Sequence, residues 1–222
     1  MKKHIICLGD SNTHGYCGDP EDCADRDLMR FNEDERWTRR LQAALGDGYL
    51  VAEEGQSGRT TVFPDPLYEG LAAIDYLVPC LKSHEPVDLL ILMLGTNDTK
   101  ERFGANATCI ALGMERLVQK AKATDCWGRH APNILIIAPP VIDPRMETST
   151  IGGCMGAGCA AKSAQLPPLL SMTAQQNGCH FLNAGSCEFN QTDYMHLTRR
   201  GHAQLAEKLA ALVPGLVAPR SL

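Results

Sequence analysis

The sequence predicts an α/β fold, with five strands in one parallel sheet and helices covering both of its faces. Three observations carry that prediction. Short apolar runs alternate with segments of helical periodicity along the chain, the pattern that builds parallel sheets. One run, Val87 to Leu94, is almost unbroken in its apolarity, as a central strand buried on both sides must be. Four of the loops that follow strands carry small polar sets, at the edge where open α/β sheets bind ligands.

Taken in order, Ile5 to Leu8 is the first strand, and Gly9-Asp10-Ser11 turns at its end. Tyr16 to Asn32 is polar and aperiodic and reads as a surface loop. Glu33 to Leu45 places Trp37, Leu41, Ala44 and Leu45 at helical spacing and stops at Gly46 and Gly48. Tyr49 to Ala52 is the second strand, followed by Glu54-Gly55-Gln56-Ser57-Gly58. Leu67 to Leu81 reads as a helix, Val87 to Leu94 as the third strand ending in Gly95-Thr96-Asn97-Asp98, and Ala105 to Ala123 as a helix. Asn133 to Ala138 is the fourth strand, stopped by Pro139-Pro140. Val141 to Ala160 is irregular and glycine-rich. A helix follows in which Pro167-Pro168 must start, kink or interrupt the turn. His180 to Ala184 is the fifth strand, Asp193-Tyr194-Met195-His196 lies in the next loop, and Thr198 caps a last helix carrying Leu205, Leu209 and Leu212.

A chain of 222 residues that is 44% hydrophobic supports one well-buried core, and no linker or repeat divides it, so residues 1–222 read as a single domain. The net charge of −5 argues against a nucleic-acid partner. No apolar stretch is long enough to span a bilayer, and Ile5 to Leu8 behind Lys2 and Lys3 is too short for a signal-peptide core. The expectation is a cytoplasmic protein with no membrane partner. Of ten cysteines, Cys7, Cys80 and Cys109 sit in apolar runs. Cys17, Cys23, Cys154 and Cys159 lie in loops without zinc-site spacing. Reduced thiols are the default, with a Cys154–Cys159 disulfide as the alternative.

Parallel strands bring the four polar loops to one rim. A hydroxyl nucleophile needs a base, and the base needs an orienting acid; Ser11, His196 and Asp193 are the three types. An aspartate three residues before a histidine can reach imidazole Nδ1 and leave Nε2 for the serine. The oxyanion formed by attack on a carbonyl needs fixed donors, which the backbone amides of Ser11 and Gly58 and the side-chain amide of Asn97 supply. Asp10 and Asp98 read as structural, bonding loop amides. Arg59 reads as the partner of a surface carboxylate. Ser57, the rival nucleophile, lacks the Gly-x-Ser-x-Gly elbow.

This set resembles the SGNH (GDSL-type) hydrolase family over nearly the whole chain, through Gly9-Asp10-Ser11, the turn at Gly58, Gly95-Thr96-Asn97-Asp98 and Asp193-x-x-His196. Glu53 to Thr61 and Met93 to Lys100 look like its arylesterase/acyltransferase branch. The resemblance implies a flavodoxin-like three-layer sandwich and cofactor-free, metal-free hydrolysis of small, short-chain esters. It also implies acyl transfer to alcohols and a homo-oligomer that narrows the pocket. Asn12 stands where the family name has Leu and lines the turn. Asn12 and His14 are the candidate substrate contacts beside Ser11. The rival reading is a catalytically silent binding module holding a small ester, sugar or anion on the same rim.

Overall fold

The computed structural model describes residues 2–23 and 28–217. Strands β1 (Lys3–Gly9), β2 (Tyr49–Gly55), β3 (Leu89–Met93), β4 (Ile134–Ala138) and β5 (His180–Asn183) form one sheet in the order β2-β1-β3-β4-β5. All four pairings are parallel. Between them run helices α1 (Ser11–His14), α2 (Trp37–Leu45), α3 (Ala73–Ser83), α4 (Ala107–Ala123), α5 (Gly152–Met155), α6 (Cys159–Gln176) and α7 (Arg199–Leu216). None of the described helices is long and apolar enough to cross a membrane.

The three layers follow from the two-residue period of the strands. Ile6, Leu8, Leu90, Leu92, Ile134 and Ile136 point to one face and pack with α3, α4 and α6. Their neighbours Ile5, Cys7, Leu89, Ile91, Leu135 and Ile137 point to the other face and pack with α2 and α7. Both sets are removed from water, each large side chain contributing about 1.5–3 kcal/mol by burial. The strand order reverses direction between β1 and β3, so their C-terminal ends splay apart and leave a crevice there.

Three expectations are corrected. The helix read from Leu67 to Leu81 starts only at Ala73, because residues before it are held otherwise. The Leu67 amide donates to Asp65, and Thr60 exchanges backbone hydrogen bonds with Leu71 and Ala73. The loop from Tyr16 to Asn32 is not simply a surface feature: Cys17, Cys23 and Phe31 are buried as a small cluster of their own. Pro167 and Pro168 neither start nor break α6 but lie inside it. The default reading of reduced thiols is the one seen at Cys154 and Cys159: both are free, and the buried Cys159 thiol donates to the Thr99 carbonyl at 3.3 Å.

Asp98 ties two of the rim loops together. Its carboxylate accepts from the Thr61 amide at 2.8 Å and from the Thr61 hydroxyl at 2.5 Å. Asp10 accepts from the Asn12 amide at 3.0 Å and caps α1. Complete burial pushes each carboxyl from 3.8 up to about 6, although these hydrogen bonds oppose the shift. Between pH 4 and 6 the folded state therefore holds more protons than the unfolded chain. Stability is fully present below pH 4 and falls as the pH rises through 6, by roughly 3 kcal/mol per group. Asp98→Asn should keep the bonds to Thr61 and remove about half of that decline. Denaturant midpoints at pH 4.5 and 7.5 check this; an equal decline in both proteins would exclude Asp98 as a source.

Candidate active site

Ser11 opens α1 directly beyond β1, with Asp10 as the capping residue. On the far side of the chain Asn190 shapes the loop before α7. Its side-chain oxygen accepts from the Thr192 and Asp193 amides, and its nitrogen donates to Asp193 Oδ1 and to the His196 carbonyl. This loop lays Asp193 against His196, whose Nδ1 is 2.7 Å from Asp193 Oδ2. His196 Nε2 lies 2.8 Å from Ser11 Oγ. A carboxylate only accepts, so Nδ1 carries the proton and Nε2 accepts from the serine hydroxyl. Burial alone would raise the Asp193 carboxyl. The His196 contact and the amides of His196 and Met195 outweigh it and hold the group at about 2. Gly18 approaches this carboxylate so closely that a Cβ there would stand 2.0 Å from Asp193 Oδ2.

Ser11, Gly58 and Asn97 line one cavity of about 160 Å³, together with His196. Gly58 has φ +86°, a conformation that suits glycine. Among the described residues neither the Ser11 nor the Gly58 amide donates to a protein acceptor. Asn97 Nδ2 spends one proton on the Arg59 carbonyl at 3.1 Å and keeps a second. Three unspent N–H groups thus belong to residues that line the cavity with the serine hydroxyl.

The sequence-read contacts fare unevenly. Asn12 does not line the cavity. It is buried, and its Oδ1 accepts from the Leu197 amide at 2.9 Å while its carbonyl accepts from Trp37 Nε1 at 3.0 Å. The residue after Ser11 is thereby stapled to the residue after His196. His14 lines a separate depression with Glu54, Gln56, Arg59 and Tyr76. Burial, with Arg30 nearby, lowers it below 6.5. Among the described residues Arg59 pairs with no surface carboxylate: it is buried, donates to the carbonyls of Gly9 and Glu54 and to Gln56, and stacks over Tyr76. It braces the ends of β1 and β2. His202 is a core histidine that accepts from the Trp37 amide, and burial lowers it to about 3.

Sequence reasoning missed Tyr16, whose ring centroid is 4.6 Å from that of His196, and the cavity walls Ile151, Met155 and Met195. It also missed Lys100. No spacing rule links these residues to Ser11; only the fold does. A further unforeseen group is Glu54, Cys80 and His84, whose donor atoms lie within 4.8 Å of one another. They are already engaged: Glu54 accepts from Tyr76 and faces His84 Nε2 at 3.3 Å, while His84 Nδ1 lies 2.8 Å from the Cys80 carbonyl.

A doubly wound sheet with a hydrogen-bonded serine, histidine and aspartate at its switch point defines a hydrolase-like α/β protein. The model of the GDSL-like lipase/acylhydrolase family matches residues 7–204, and the chain belongs to that family. Comparison with curated proteins gives no match. Among solved structures, a carbohydrate acetylesterase from Sinorhizobium meliloti is 35% identical, with a TM-score of 0.84 over 97% of this chain and 100% of that one. The M. smegmatis aryl esterase has the same identity, TM-score and coverage. A second S. meliloti member of the carbohydrate acetylesterase family is 31% identical, with a TM-score of 0.85 over 96% of this chain and 98% of that one. The protein is a carboxylic ester hydrolase of the SGNH type.

Proposed function

We propose that this protein cleaves short-chain acyl esters through an acyl-enzyme on Ser11. The observation that carries the reading is the continuous chain from Ser11 Oγ through His196 to Asp193, opening into a cavity of about 160 Å³. In that reading Ser11 attacks the ester carbonyl as His196 Nε2 takes its proton. The developing oxyanion is held by the Ser11 and Gly58 amides and Asn97. His196 then returns the proton to the leaving alcohol. Asp193, ionised throughout the working pH range, holds the imidazole and balances its transient charge.

The cavity supports the preference for small acyl groups. A void of about 150 Å³ takes a guest the size of benzene, and Ile151, Met155 and Met195 give this one apolar walls. The same apolar walls would favour an alcohol over water at the acyl-enzyme, which supports transfer of the acyl group to an added alcohol. The silent-binder reading is less favoured, because a binding site has no need of a base against a hydroxyl.

The test is a series of p-nitrophenyl esters from acetate to decanoate, run with and without benzyl alcohol, alongside labelling by a fluorophosphonate. Acetate or butyrate should be cleaved fastest, Ser11 should be labelled, and benzyl ester should form above the mole fraction of the alcohol. Faster decanoate cleavage overturns the chain-length reading. Partition at the mole fraction leaves a plain hydrolase, and an unlabelled protein points to a binder.

A further inference from the structure

Lys100 ends the Gly95-Thr96-Asn97-Asp98 loop and carries a charge for which the ester-cleaving mechanism has no use. It is 5% exposed, yet it lines both the cavity beside Ser11 and the neighbouring groove formed with Gln56, Leu67 and Tyr68. Among the described residues its ammonium makes no hydrogen bond and no ion pair; Asp10 and Asp65 act on it only through their charge, and Asp65 and Glu101 are bonded elsewhere. Asp65 holds Arg102 at 2.7 Å and the Leu67 amide at 2.9 Å. Glu101 accepts from the Ala157 amide at 3.0 Å. Asp10 is sealed beneath the loop with no exposure. Glu69, on the groove, is exposed and screened by solvent. The Lys100 ammonium is therefore left to the solvent of the cavity and groove, where an anionic group of a ligand can replace water. The position makes sense where the partner arrives with the ligand.

We propose that Lys100 is a specificity residue that receives a carboxylate on the leaving alcohol, so that the preferred substrate is a short acyl ester of an anionic alcohol. Ile151, Met155 and Met195 wall the cavity and offer an anion nothing, so the proposal gives them the acyl group. Lys100 lines both that cavity and the groove, so the proposal turns the leaving alcohol toward the groove. Arg102, though paired with Asp65, adds to the positive potential at Lys100. The contact is a charge-assisted hydrogen bond that a neutral hydroxyl or amide on the same alcohol forms more weakly.

The inference rests on Ser11 being the nucleophile, and the experiment separates the two. 3-Carboxyphenyl acetate and 3-carbamoylphenyl acetate differ in charge and little in shape. Their binding to Ser11→Ala by calorimetry, and their cleavage by the intact enzyme, give two readouts. The carboxylate should bind about tenfold more tightly and show a correspondingly lower KM, the gain expected of one such bond. In Ser11→Ala/Lys100→Gln the ratio of affinities should fall to about one. Lys100→Arg, which keeps the charge, should restore most of it. Equal binding of the two esters to Ser11→Ala, or a preference that survives Lys100→Gln, overturns the assignment. Failure of the nucleophile reading shows instead as turnover that persists in Ser11→Ala, and leaves the affinity ratio to judge Lys100 alone.

Discussion

Ser11→Ala is expected to lower turnover of p-nitrophenyl acetate by about 10⁶-fold while leaving the thermal midpoint nearly unchanged. Among the described residues the Ser11 hydroxyl is hydrogen-bonded to His196 Nε2 at 2.8 Å and to no other group, and alanine is well tolerated in the first turn of a helix. Nothing else in α1 depends on that oxygen. Residual rate should come from the oxyanion donors and from binding. The variant should also lose fluorophosphonate labelling, whereas Ser57→Ala should retain it. Ser57 lines the same cavity, yet no imidazole is bonded to it among the described residues. Wild-type turnover by a folded Ser11→Ala protein would remove Ser11 from the mechanism.

The second large effect is expected from Asp193→Asn, at about 10⁴-fold in kcat with little change in KM. The geometry explains why so small a change should matter. Oδ1 of Asp193 accepts three N–H bonds, from Asn190 at 2.8 Å and from the Met195 and His196 amides at 3.1 Å each. In the asparagine variant the amide oxygen must stay at that position. Its NH₂ group then falls where Oδ2 faced His196 Nδ1, and a donor meets what had been a donor. The imidazole answers by moving its proton to Nε2, leaving no lone pair for Ser11. Nitrogen-15 chemical shifts of the imidazole report the tautomer directly, and activity measured beside them checks the cause. An unchanged tautomer with full activity would reduce Asp193 to a loop anchor.

Much of this was legible before any coordinates. The alternation of apolar runs set the sheet, and the polar sets after the strands placed Ser11, Gly58, Asn97, Asp193 and His196 on one rim. These are local signals: a period, a turn former, a spacing of three residues. What escaped is contact between residues remote in sequence. Asn12 looked like a cavity wall because it adjoins Ser11, but the helical turn of α1 carries its side chain to Leu197 instead. Arg59 looked like a surface cation because its sequence neighbours are polar. Its guanidinium is buried because it donates to carbonyls at the ends of two strands, an environment its own polar neighbours in sequence do not announce. The start of α3 was misread for a related reason. Leu67 falls in helical register with the later leucines, yet it is exposed, and backbone exchange with Thr60 decides where the helix begins.

The bond between His196 and Ser11 spans 185 residues of chain. A ribosome adding about 5–20 residues per second delivers the serine loop roughly 10–40 s before the histidine loop. Throughout that interval the first strand and its turn exist without the imidazole that would activate them. On the proposed mechanism, a nascent chain that lacks the histidine loop therefore carries no serine activated for acylation. Esterase activity would then report that the loop bearing His196 has docked against the end of the first strand.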